Sequence, residues 1–75
     1  MKALTYKVRL KEEPEGGYTV TVPALPGCIT YGENVEEALT MAREAIVGYI
    51  SVLKENGDVI PDDSTSKEYS ISIPE

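Results

Sequence analysis

Residues 4–22 read LTYKVRLKEEPEGGYTVTV. Leu4, Tyr6, Val8 and Leu10 alternate with Thr5, Lys7 and Arg9. Successive side chains of a strand point to opposite faces, so the spacing predicts a strand over Leu4–Leu10 with one buried and one wet face. The stretch Lys11–Gly17 is polar and carries Pro14 and then Gly16-Gly17, where glycine supplies the positive φ that a bulged or longer hairpin needs. Tyr18, Val20 and Val22 then alternate with Thr19 and Thr21, which predicts a second strand folded back on the first.

Outward from this hairpin, Pro23-Ala24-Leu25-Pro26-Gly27-Cys28 cannot be a central strand, because two prolines remove ladder donors and Gly27 invites a tight bend. Ile29–Tyr31 reads as a short third strand. Asn34 followed by Glu37 has the spacing of a capping box, and a helix over about Val35–Glu55 follows, closed by Asn56-Gly57. At 1.5 Å per residue it is about 30 Å long. Ala38, Leu39, Ala42, Ala45, Ile46, Tyr49, Ile50, Val52 and Leu53 share one side of it, with Met41 at the flank and Val47 opposite. That arc approaches half the circumference, wider than one sheet requires. Either the Met41 and Val52 flank meets a second protomer or partner, or a small sheet curls around the helix. Asp58–Lys67, centred on Pro61-Asp62-Asp63-Ser64, reads as a solvated loop. Tyr69, Ile71 and Ile73 alternate with Ser70 and Ser72, predicting a fourth strand. The expected fold is α+β in the order β-β-β-α-β, as a single domain over residues 1–75.

Composition narrows the function. The 75-residue chain is one domain's worth, and a fold of this size buries only about 60% of its unfolded surface, so self-association is an expected stabiliser. Seven Lys and Arg against thirteen Asp and Glu give a net charge of −6. That balance opposes the counterion release behind nucleic-acid affinity, so direct DNA or RNA binding by this chain alone is disfavoured. The acidity either matches a basic protein partner or serves solubility. The start of the chain alternates instead of forming an apolar signal core, no run approaches the roughly 20 residues of a membrane span, and Cys28 has no second cysteine to pair with. The expected location is the cytoplasm.

Histidine is absent, which removes the commonest general base near neutral pH and the commonest zinc-binding nitrogen. Nuclease chemistry on two metal ions needs converging carboxylates. Strand one offers Lys7 and Arg9 instead, and the only aspartates, Asp58, Asp62 and Asp63, fall in one loop whose spacing matches no EF-hand. The expectation is no enzyme, no metal and no cofactor. Cys28 has no lysine-rich or histidine neighbour in sequence to lower its pKa and reads as a packed side chain. Tyr18 and Tyr31 read as core or interface. The hairpin-tip carboxylates Glu12, Glu13 and Glu15 either face a basic partner or form a polar turn. Pro23, Leu25 and Pro26 either present a rigid contact loop, with Leu25 held outward, or merely turn the chain. The candidate protein contacts are therefore Pro23, Leu25, Pro26, Met41 and Val52.

The Gly16-Gly17-Tyr18 hairpin, the run Val22–Cys28, Gly32-Glu33-Asn34, Glu36-Glu37-Ala38 opening a helix, and Asn56-Gly57 before Ile60-Pro61 together resemble the HicB family of antitoxins. The resemblance covers about Tyr6 to Ile73. It implies a partial ribonuclease-H-like fold, with one helix packed on a small mixed sheet and the fourth strand returning beside the first. It also implies the antitoxin of a type II toxin-antitoxin pair. The partner would be a HicA-like toxin, small, basic and mRNA-cleaving, and the assembly a homodimer or homotetramer. Many members of that family continue into a DNA-binding segment that is not expected here. A solitary oligomeric binding or regulatory module without a toxin is the alternative the resemblance allows.

Overall fold

The computed structural model describes residues 3–63 and 67–75; residues 64–66, part of the expected loop, lie outside the described residues. Three antiparallel strands, β1 (Arg9–Glu12), β2 (Tyr18–Thr21) and β3 (Ile29–Gly32), form a sheet in the order β1-β2-β3. One helix, α1 (Val35–Glu55), packs on β3 and β2.

The hairpin closes as glycine chemistry requires. Gly16 and Gly17 have φ of 105° and 80°, Gly16 N donates to Glu13 O, and Glu13 N donates to Gly17 O. Leu10 pairs with Val20 and Val20 with Thr30 on the helix side, while Arg9, Lys11, Thr19, Thr21, Ile29 and Tyr31 lie on the other face. Val20 is fully buried with Ala38 and Ala42 of α1, against half-buried Val8, Leu10 and Tyr18. Two alanines let the helix come close. Gly32 completes that approach, because a Cβ built there would sit 2.3 Å from the Ala38 amide nitrogen.

The helix ends where local capping chemistry puts them. Asn34 Oδ1 accepts the Glu37 amide at 2.8 Å, and Glu37 Oε1 accepts the Glu33 amide at 3.0 Å. At the other end Asp58 N donates to Leu53 O and Gly57 N to Lys54 O, with Gly57 at φ 71°: a Schellman closure.

Two strand expectations are corrected. The first strand begins at Arg9 and runs through Lys11 and Glu12, and residues 4–8 lie outside the ladder. The reason lies in its partner. Beyond Thr21 the next residue to turn its backbone toward β1 is Pro23, which has no amide to give, so Lys7 has no ladder to join. Residues 5–7 instead meet the chain returning after α1: Asp63 N donates to Thr5 O at 3.0 Å and Lys7 N to Asp63 Oδ2 at 2.9 Å. This has the form of a parallel bridge in which the aspartate carboxylate takes the amide that its carbonyl would otherwise accept.

The fourth strand, Tyr69–Ile73, is absent from the sheet, so the observed order is β-β-β-α and the sheet is antiparallel throughout, not mixed. Tyr69, Ile71 and Ile73 are 82%, 82% and 76% exposed. Their alternation is that of a strand, but among the described residues they join no strand of the sheet.

Candidate functional site

The loop Pro23–Gly27 is built from its own backbone. Leu25 N donates to Val22 O and Cys28 N to Leu25 O, with Gly27 at φ 81°, which makes two successive tight turns. The turns drive Leu25 inward, where it is fully buried with Val22 and Cys28 against Tyr6, Ala45, Ile46, Tyr49 and Leu53. Leu25 is therefore core and not a presented contact, which corrects that expectation. Pro23 and Pro26 are exposed on the rim, and the Tyr49 hydroxyl of α1 donates to Pro26 O at 2.7 Å, pinning the loop to the helix. Met41 and Val52 are exposed on the helix flank. Burial pushes the Cys28 thiol pKa upward, so it is a packed, unreactive side chain.

The sheet face opposite α1 is uncovered. It presents Thr19, Thr21, Ile29 and Tyr31, with Arg9 and Lys11 along one side. Tyr31 closes the hairpin end of this face, its hydroxyl donating to Gly16 O at 3.1 Å. Gly17 makes room for that ring, since a Cβ there would overlap the phenol oxygen. Around the ring stand carboxylates from three parts of the chain: Glu13 and Glu15 of the hairpin tip, Glu33 before the helix, and Glu37 in its first turn. Desolvation and then the charges of Glu33, Glu37, Glu13 and Glu15 hold the Tyr31 phenol above its ordinary pKa. Two of the four are fixed in place, Glu13 by the Thr19 hydroxyl at 2.7 Å and Glu37 by the Glu33 amide. The hairpin-tip acids thus belong to a wider acidic surface assembled by the fold, which no sequence spacing announces.

Asp62 and Asp63 are not the solvated turn expected of them. Asp63 is only 7% exposed; besides the Lys7 amide its carboxylate faces Lys7 Nζ at 3.9 Å, and Lys7 Nζ donates to Asp63 O at 2.9 Å. The Tyr6 hydroxyl donates to Pro61 O, and Thr5 N donates to Asp62 Oδ1 at 3.4 Å. Asp58 is exposed and stands apart from this latch. Among the described residues no three Cys, Asp or Glu side chains converge as metal ligands, and no helix is long and apolar enough to cross a membrane.

The latch gives the fold an alkaline sensitivity. Desolvation, followed by Asp62 and Asp63, raises the Tyr6 phenol above its ordinary value of 10.0, and Tyr31 is raised likewise. A group whose folded-state pKa is raised contributes stability that is fully present below its unfolded pKa and is lost as pH rises through the folded value. Cys28 follows the same sign from its ordinary 9.0. Denaturant midpoints should therefore fall as pH climbs from about 9, and Tyr6→Phe should flatten the part of that fall lying above about pH 10. An unchanged slope in that variant would mean that Tyr6 titrates freely.

Comparison with known proteins bears on what this surface serves. The family described as HicB-like antitoxin of bacterial toxin-antitoxin system matches residues 6–75. The chain is 42% identical to the UPF0150 protein Ta0767 of Thermoplasma acidophilum over 85% of its own length and 93% of that protein's. It is 34% identical to the Escherichia coli antitoxin HicB over 95% of its own length, spanning about half (53%) of that relative. The crystal structure of the N-terminal domain of Burkholderia pseudomallei antitoxin HicB superposes with a TM-score of 0.67 at 31% identity, covering 91% of this chain and 72% of the other.

Proposed function

This chain belongs to the HicB-like antitoxin family of bacterial toxin-antitoxin systems, and from that premise we propose that it is a non-catalytic antitoxin that binds and neutralises a HicA-type, mRNA-cleaving toxin. The observation that carries this reading is the extent of the family match, which runs over residues 6–75 and so takes in the hairpin, the loop, the helix and the latch. In the same reading residues 1–75 act as one unit in the cytoplasm. The fold is a partial ribonuclease-H-like one, and copies associate as a homodimer or homotetramer.

A basic toxin is the partner that suits an acidic chain, and the carboxylates around Tyr31 beside the open sheet face suit its approach. Charge complementarity of this kind speeds encounter and fixes register. Pro23, Pro26, Met41 and Val52 are further proposed contacts, since all four are exposed and the loop is already rigid, so little conformational freedom is lost on binding. The net charge of −6 favours protein over nucleic acid.

Co-expression with a HicA-type toxin should restore growth, and the two chains should co-elute. Reversing Glu15 and Glu33 to lysine should slow association about tenfold or more at low salt and leave the fold intact. Failure on both counts, with growth not restored and no complex formed, would overturn the assignment. The second reading is a binding or regulatory module that works without a toxin. A stable oligomer that no HicA-type toxin engages would select it.

A further inference from the structure

The chain carries both halves of a strand pairing that it does not make within itself. One half is the outer edge of β1. Glu13 N donates to Gly17 O, so the odd-numbered residues of β1 turn their backbone groups toward β2. By alternation Leu10 and Glu12 turn theirs outward, along an edge at which the sheet simply stops. Residues 4–8 lead into that strand, with Thr5 O and Lys7 N bonded to Asp63. Beside it, between that segment and α1, runs an open apolar groove of about 440 Å³ lined by Leu4, Tyr6, Val8, Leu39, Ile46 and Ile50.

The other half is residues 69–73. Tyr69, Ile71 and Ile73 alternate with Ser70 and Ser72, the spacing of a strand with one apolar side. The three large side chains are almost fully exposed. At about 3.3 Å per residue they span roughly 13 Å, a length suited to a short strand. Glu68, next to the segment, lies 3.6 Å from Arg9, which belongs to the opposite, open face of the sheet. The molecule is correspondingly drawn out. Its radius of gyration is 14.1 Å, against about 11 Å for a compact chain of this length.

We infer that residues 69–73 of one copy add as a strand to the outer edge of β1 in a second copy, seating Tyr69, Ile71 and Ile73 in the groove, and that the exchange is reciprocal. The pairing satisfies the edge amides, removes three large apolar side chains from water and lengthens the sheet by one strand in each copy. Both copies contribute the same two surfaces, so a twofold dimer closes without leaving either unmatched. The inference rests on the self-association proposed above and specifies its contact.

The test uses the full chain, with light scattering for mass and circular dichroism for fold. The wild type should be a dimer. Ile71→Lys and Leu39→Glu change exposed residues, so each should stay folded while the dimer dissociation constant rises about tenfold or more. Mixing the two variants should restore a dimer, because one contact is then wild type on both sides and the other joins lysine to glutamate. A folded wild-type monomer would overturn both the self-association and this contact. A dimer indifferent to both substitutions would overturn the contact alone. Docking of 69–73 into its own chain's groove would also overturn it, and would appear as a monomer whose amides at 69–73 are protected from exchange.

Discussion

Gly32→Ala is expected to destabilise the protein by at least about 3 kcal/mol, the upper end of what overpacking costs. Gly32 is the last residue of β3 and is buried beneath the first turn of α1. A Cβ there would lie 2.3 Å from the Ala38 nitrogen, 2.5 Å from its Cα and 2.9 Å from its Cβ. Two of those atoms are backbone, so no rotamer change relieves the overlap and the helix as a whole must move away from the sheet. That movement would also loosen the packing of Ala38 and Ala42 on Val20, the centre of the smaller core cluster. A domain of 75 residues has a total stability of roughly 4–11 kcal/mol. At about 4–8 °C per kcal/mol, the midpoint of thermal unfolding should fall by more than about 10 °C. Gly48→Ala is the control. An added Cβ there meets nothing within 4 Å, and alanine has the better helix propensity, so that variant should be neutral or slightly stabilised. Equal melting of the two variants would mean that β3 and α1 are not in close contact.

Leu25→Ala is expected to cost about 2–5 kcal/mol, the range for truncating a fully buried leucine. Leu25 and Val20 are the largest fully buried side chains, and Leu25 joins the loop to Tyr49 and Leu53 of the helix. Its removal leaves a cavity that the two prolines flanking the turn cannot collapse. Pro26→Ala, at an exposed position whose carbonyl alone is used by Tyr49, should change stability far less. Denaturant unfolding of both variants, alongside toxin binding measured on the folded fraction, separates core from contact. Loss of binding by Leu25→Ala with unchanged stability would return Leu25 to the role of a presented side chain.

These two residues show how unevenly the fold is written in the chain. The helix expected over about Val35–Glu55 is found there, because Asn34, Glu37 and Gly57 act on backbone groups no more than one turn away. The Gly16-Gly17 turn is equally local. The orientation of Leu25 stays open in the sequence because it depends on two tight turns and on the helix they face, and a leucine between prolines looks the same whether it points inward or outward. Asp63 was misread for the same kind of reason. Pro61-Asp62-Asp63 has the composition of a wet loop, and only the return of the chain beside Thr5–Lys7 buries the carboxylate against an amide and a lysine.

Residue order alone sufficed for the α+β class, the hairpin, the helix with both caps, the acidity and the family relationship. The family relationship rests on the resemblance of motifs, and the others on interactions between near neighbours or on composition. The tertiary arrangement settled the start of β1 at Arg9, the burial of Leu25 and Asp63, the carboxylates gathered around Tyr31 and the exposure of Tyr69, Ile71 and Ile73. Each of these depends on which distant segment comes alongside, and a period-2 pattern can announce a strand without saying what pairs with it.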